Sequence, residues 1–181
     1  MVYVLLGKGF EEIEAVTAVD ILRRAKVDVN MVSLTTELFV QGSNGITVNA
    51  DITLEQVDFE SMEMLVLPGG LGGVSAIGDT SAAMDLIQRA WHADISVAAI
   101  CAAPTLLARL DLIKGMSVVC YPTMSDVVTK AGANYQHDKL AIRDGKLTTG
   151  KSAGASAEFA LELVAALRDK ETAATIRNAI M

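Results

Sequence analysis

Apolar and polar positions alternate in blocks along this chain. Val2 to Leu6 is a short apolar run followed by a glycine-containing bend, and from Glu11 to Ala25 the residues Ala15, Ala18, Val19, Leu22 and Ala25 recur at helical spacing. That order reads as strand, turn, helix. It returns with strands over Val27 to Leu34, Met64 to Leu67 and Ile95 to Ile100, and with a helix over Thr80 to Trp91. Strands that are apolar throughout and alternate with helices predict a parallel sheet covered on both faces, because a half-exposed strand shows polar residues at every second position. Two interruptions read as antiparallel hairpins that decorate an edge: Phe39 to Val48, turning near Asn44-Gly45, and Leu140 to Leu147, turning at Asp144-Gly145. Helices over Ser156 to Arg168, with Ser156 as a candidate N-cap, and over Lys170 to Ala179 close the chain. The expected class is α/β, one domain over residues 1–181.

Composition narrows the functions this fold can carry. With 51% hydrophobic and 20% charged residues the chain is globular rather than disordered. Its 15 Lys and Arg against 22 Asp and Glu give a net charge of −7 without a basic run, so no nucleic-acid partner is expected. Two cysteines, Cys101 and Cys120, are too few for a disulfide scaffold and lack a four-ligand metal spacing, which fits a reducing cytoplasm and predicts no metal site. The opening MVYVLLGKGFEE has no basic region before its apolar stretch and acids directly after it, and reads as a strand rather than a signal peptide. The stretches Met64 to Gly78 and Ile95 to Ala108 contain Gly pairs or Pro and fall short of the roughly 18–20 apolar residues that span a bilayer, so no membrane association is expected.

In open α/β sheets ligands bind at the carboxyl ends of the strands, which singles out Gly7 to Glu14, Pro68 to Gly73 and Cys101 to Pro104. Cys101 leaves the apolar run Val97 to Ile100 and enters Ala102-Ala103-Pro104, small residues suited to a sharp strand-to-helix turn, a nucleophile elbow. A helix N-terminus there is expected to lower the thiol pKa; the alternative is an inert cysteine packed as a small hydrophobe. Among Glu11, Glu12 and Glu14, a carboxyl pointing into the same crevice and kept neutral by burial would donate a hydrogen bond to a thiolate, whereas an ionised one would raise the thiol pKa. All three could instead simply favour a helix N-terminus. Pro68 to Gly73 could present backbone N–H groups to a substrate oxygen, or be a plain turn. Its spacing is neither a Rossmann fingerprint nor a P-loop, and no nucleotide or other cofactor is expected. His92 and His137 lack the context of a Cys–His pair, and Cys120 reads as packing rather than as a resolving thiol.

Four segments taken together, KGFEEIEAV at Lys8 to Val16, VLPGG at Val66 to Gly70, AAICAAPTLLA at Ala98 to Ala108 and AGASAEFAL at Ala153 to Leu161, resemble the DJ-1/ThiJ/PfpI superfamily in its DJ-1-like branch. The resemblance spans nearly the whole chain, with the motifs in the family's order. It implies a flavodoxin-like three-layer α/β/α sandwich of the class I glutamine amidotransferase-like kind, and a homodimer. It also implies Cys101 as the reactive, oxidisable cysteine, Glu14 as its protonated partner, Gly70 and Ala102 as backbone donors to an oxyanion, and Gly69 as preparing the turn. Ala102 stands where protease-like relatives carry histidine, which weakens a peptidase reading. Tyr121 stands where some members have histidine, and a phenol with a pKa near 10 serves better as a donor or wall than as a base. Asn44 and Lys151 lie at or near family arginines and alter anion recognition.

Both lines lead to chemistry on small reactive carbonyl compounds, a glutathione-independent glyoxalase or deglycase with a cysteine nucleophile. The competing class is a redox sensor or chaperone of the oxidative stress response, in which Cys101 is oxidised without significant turnover.

Overall fold

The computed structural model describes residues 1–181. β1 (Val2–Leu6) leads through a bend to α1 (Glu12–Arg24) and β2 (Val29–Ser33), and a hairpin of β3 (Phe39–Gln41) and β4 (Thr47–Asn49) follows. After the short β5 (Ile52–Thr53) come β6 (Met64–Leu67), α2 (Leu71–Asp79), α3 (Ser81–His92), β7 (Ser96–Ile100) and α4 (Pro104–Arg109). A side unit is built from β8 (Ser117–Val118), α5 (Ser125–Lys130) and β9 (Asn134–Tyr135). The chain closes with β10 (Ala141–Asp144), β11 (Leu147–Gly150), α6 (Ser156–Leu167) and α7 (Lys170–Ile180).

Seven strands form one sheet in the order β10-β11-β7-β6-β1-β2-β5, parallel except for the β10–β11 pair. Period-two alternation splits each central strand between two cores. Tyr3 and Leu5 of β1 face one core and Val2, Val4 and Leu6 the other; β6 and β7 divide the same way. The first core is closed by α3 and α4 through Met84, Ile87, Leu106 and Leu107, the second by α1 and α6 through Ala18, Leu22, Phe159 and Val164. Burying a Val or Leu side chain contributes roughly 1.5–3 kcal/mol, so strands apolar on both faces gain most at the sheet centre, where β7, β6 and β1 sit. The order β2-β1-β6-β7-β11 is the flavodoxin-like winding, and it reverses between β1 and β6.

Four local expectations need correction. The β3–β4 hairpin is a separate two-stranded sheet rather than an edge decoration. It lies across the bend after β1, where the Gly9 N–H donates to the Gln41 carbonyl at 2.7 Å and the Ser43 N–H to the Phe10 carbonyl at 2.8 Å. In the second hairpin only β10 is at the edge, since β11 pairs in parallel with β7. The glycine-rich stretch from Leu71 onward is helical rather than a loop. Ser156 does not cap α6: it lies inside the first turn and donates its hydroxyl to the Ala153 carbonyl at 2.8 Å.

Candidate active site

Because β7, β6 and β1 are neighbours, the carboxyl ends of these strands emerge side by side where the winding reverses. The loops after them meet around a cleft of about 640 Å³ lined by Glu11, Glu14, Gly70, Cys101, Ala102 and Tyr121, among others.

Cys101 follows β7 with φ at +63°, a left-handed conformation that costs a residue with a Cβ roughly 1–2 kcal/mol. Both of its backbone groups are engaged: its N–H donates to the Gly150 carbonyl at the end of β11 at 3.0 Å, and its carbonyl accepts from the Tyr121 N–H at 2.8 Å. Those bonds hold the elbow, and Pro104 starts α4 at a position where a missing N–H costs nothing. The backbone N–H groups of Ala102 and Gly70 lie close enough to the sulfur to favour its anion.

Gly69 and Gly70 make this proximity possible. A Cβ on Gly69 would fall 2.5 Å from Oε2 of Glu14 and 2.6 Å from Cβ of Cys101, so the absence of a side chain lets the carboxyl and the cysteine approach each other. Gly70 has φ at +83°, and a Cβ there would meet Gly9 O and Glu11 N at 2.5 Å.

Glu14, in the first turn of α1, is 1% exposed. Its Oε2 accepts from the Gly69 N–H at 2.7 Å, while Oε1 is buried with no hydrogen-bond partner. Burial pushes its pKa up to about 7; the Cys101 thiol and the Gly69 N–H counteract this in part, and the charge of Glu11 adds to it. The Cys101 thiol is pushed up to about 12, by burial first and then by the charge of Glu14, with the Ala102 and Gly70 N–H groups offsetting only a fraction. This reverses the lowering expected from a helix N-terminus. The helix begins three residues after the sulfur and is six residues long, too little dipole to outweigh burial beside a carboxylate. The pair therefore carries two protons below neutrality and one, on the sulfur, once Glu14 has ionised near pH 7, since removing both would leave two anions in contact.

Tyr121 lines the cleft and is 43% exposed. Asn44 does not line it: its N–H and Nδ2 donate to the Glu12 carboxylate at 2.7 and 3.0 Å, while the neighbouring Ser43 faces the cleft. His92 lies on the exterior with Nδ1 against the Gln88 carbonyl at 2.7 Å, and His137 pairs with Asp138; neither lines the cleft. Cys120 is buried in the first core, as a packing residue, with its thiol raised to about 11 by burial. Ser152, Ala153 and Gly154 of the loop after β11, with Thr123 and Met124, complete the cleft; Ala153 and Gly154 open the AGASAEFAL segment, to which the sequence alone gives no role in the site. Placing β11 inside the sheet rather than in an edge hairpin would have pointed to that fourth loop. No group of three or more His, Cys, Asp or Glu side chains comes together to hold a metal ion.

Fold and site together define a class: a flavodoxin-like protein with a cysteine on a strained elbow beside a buried carboxyl. The chain belongs to the DJ-1/PfpI family, whose model matches residues 1–166. It is 35% identical to Protein dj-1beta of Drosophila melanogaster over 178 residues, 98% of this chain and 95% of that protein. The crystal structure of Drosophila DJ-1beta matches with a TM-score of 0.94, covering 99% of this chain and 96% of that one. Identity to the glutathione-independent glyoxalase DJR-1.2 of Caenorhabditis elegans is 30% over 161 residues, 89% of this chain and 84% of that protein. Oxidized Toxoplasma gondii DJ-1 is 30% identical with a TM-score of 0.92, over 99% and 96% of the two chains.

Proposed function

We propose that this protein is a cysteine-dependent, glutathione-independent glyoxalase or deglycase-type enzyme acting on methylglyoxal-like α-oxoaldehydes or their protein adducts. One observation carries the reading: Glu14, a buried carboxyl titrating near neutrality, sits against Cys101, and the Gly70 and Ala102 N–H groups converge on the same sulfur in an open cleft. The glyoxalase among the relatives supports it.

Ionised Glu14 takes the thiol proton as the sulfur adds to the aldehyde carbon, so attack proceeds without a free thiolate accumulating. The carbonyl oxygen becomes an alkoxide facing the Gly70 and Ala102 N–H groups, then regains the proton from Glu14 to give a hemithioacetal. Glu14 next removes the hydrogen on the former aldehyde carbon as a proton and passes it to the neighbouring carbonyl oxygen, leaving an enediol. Transfer of the first carbon's hydroxyl proton, again through Glu14, to the adjacent carbon gives a 2-hydroxy thioester: the first carbon is oxidised, the second reduced, and no outside redox partner is consumed. Water hydrolyses the thioester, releasing the 2-hydroxy acid and restoring the thiol. The steps call on no metal or organic cofactor.

Lactate formation from methylglyoxal tests the reading. Wild type is expected to turn over, Cys101→Ala to sit at background, and Glu14→Gln to fall about 100-fold or more; undiminished turnover in Cys101→Ala would overturn it. A second reading, a redox sensor or chaperone, is favoured by the unpartnered Oε1 of Glu14 and the two N–H groups, which would bond the oxygens of a sulfinate made by two equivalents of peroxide with release of two waters. Peroxide-dependent mass gain at Cys101 without aldehyde turnover would favour it. The proposal also includes a single domain over residues 1–181, a cytoplasmic setting and a homodimer; exposed Ile13 and Val16 on α1 and Ile46 beside β4 support the dimer, which light scattering would detect.

A further inference from the structure

We propose that the cleft selects by charge, with Glu11 as the residue that admits neutral or cationic carbonyl compounds and turns anionic ones away. The inference deepens the reading above and rests on Cys101 as the reacting nucleophile. Within one chain, Glu11 and Glu14 are the charged side chains lining the cleft, and none of its Lys, Arg or His side chains does so. Lys151, in the loop after β11, does not line the cleft; its ammonium is turned to the His137 carbonyl, to which it donates at 2.9 Å. Glu11 is anchored at the mouth: its N–H donates to the Gly69 carbonyl at 3.0 Å and its Oε2 accepts from the Ser43 hydroxyl at 3.1 Å. Ser43 is set in turn by Glu12, which accepts from the Ser43 hydroxyl and from the Asn44 and Ile46 N–H groups. The charge of Glu11 reaches the reacting pair, since it helps push Glu14 up. The remaining walls include Leu71, Tyr121, Met124 and Ser152, apolar or neutral. A small neutral α-oxoaldehyde meets no opposing charge there. One bearing a carboxylate or phosphate meets like charge between low-dielectric walls, on a protein of net charge −7.

Alkylation of Cys101 reads this selection without requiring turnover: a C–S bond forms, the C–I bond breaks, iodide leaves and the thiol proton passes to solvent. Rates at the Cys101 peptide, followed by mass spectrometry on the full chain, are compared for neutral iodoacetamide and anionic iodoacetate, each divided by its rate with N-acetylcysteinamide. Because both reagents meet the same sulfur, their ratio cancels any change in thiolate fraction. The preference for iodoacetamide is expected to exceed that of the free thiol roughly tenfold at low ionic strength, and to shrink toward it in about 0.5 M KCl and in Glu11→Gln. Glu11→Asp, which keeps the charge, is expected to retain most of it. A ratio equal to that of the free thiol, or one that Glu11→Gln leaves unaltered, overturns the proposal. In parallel, kcat/KM is expected to favour methylglyoxal over the carboxylate-bearing 4,5-dioxopentanoate by roughly tenfold. If neither aldehyde is turned over while the alkylation preference persists, the glyoxalase reading fails and charge selection stands. Equal turnover of both, with no alkylation preference, overturns charge selection and leaves the glyoxalase reading standing.

Discussion

Glu12 and Glu14 sit two residues apart in one helical turn and are 5% and 1% exposed, yet they titrate at opposite ends of the carboxylate range. Burial opposes ionisation of Glu12, but bonds from the Asn44 side chain, the Asn44 and Glu12 backbone and the Ser43 hydroxyl overcome it and hold the carboxyl at about 2. Glu14 has one backbone donor, from Gly69, and an unpartnered oxygen, and burial carries it to about 7. Solvent exposure does not distinguish the two: Glu14 lies deeper in the protein, and fewer donors are aimed at it. One becomes a structural anion that ties the β3–β4 hairpin to α1; the other is the proton carrier of the proposed mechanism, beside Cys101.

The sharpest contrast is in turnover. Glu14→Gln is expected to cost about 100-fold or more in kcat for methylglyoxal, and Glu12→Gln less than about tenfold, because only the first removes a proton-transfer group. Stability reverses the ranking: Glu12→Ala strips partners from four hydrogen bonds, and urea unfolding at neutral pH is expected to register a loss of about 1–3 kcal/mol. Gly69→Ala inserts a Cβ between Glu14 and Cys101 and is expected to lower stability by about 1–3 kcal/mol and to slow Cys101 alkylation.

The two carboxyls also leave separate marks on stability against pH. Glu12 is depressed from an ordinary 4.5 to about 2, so its contribution is present above 4.5 and is lost as pH falls toward 2. Glu14 is raised from 4.5 to about 7, so its contribution is complete below 4.5 and is lost as pH climbs through 7. Chemical denaturation across pH should find the acid limb flattened in Glu12→Gln and the limb between 4.5 and 7 flattened in Glu14→Gln. The smallest effect belongs to Tyr121→Phe, where loss of at most one hydrogen bond should change kcat no more than roughly threefold.

Most of this arrangement could be read from the chain alone. The two-sided apolar strands Val2–Leu6, Met64–Leu67 and Ser96–Ile100 announce a covered parallel sheet, and a cysteine between such a strand and Ala102-Ala103-Pro104 announces the elbow. Glu14 could be placed as a candidate but not chosen over Glu12 from the residues alone, because the choice depends on which carboxyl the hairpin tip reaches across 32 residues of chain. The rise of the Cys101 thiol was likewise hidden, since local sequence displays the helix end but not the degree of burial or the carboxylate packed beside it. The long-range order that places β11 next to β7, and with it Ser152 to Gly154 at the cleft, leaves no local periodicity to detect.

Difference infrared titration of the Glu14 carboxyl, wild type against Glu14→Gln, examines the Glu14–Cys101 pair most directly. The protonated carbonyl band assigned to Glu14 should persist through pH 5 and disappear around pH 7. A Glu14 carboxyl already fully ionised at pH 5 would contradict the pairing on which the chemistry proposed for Cys101 depends.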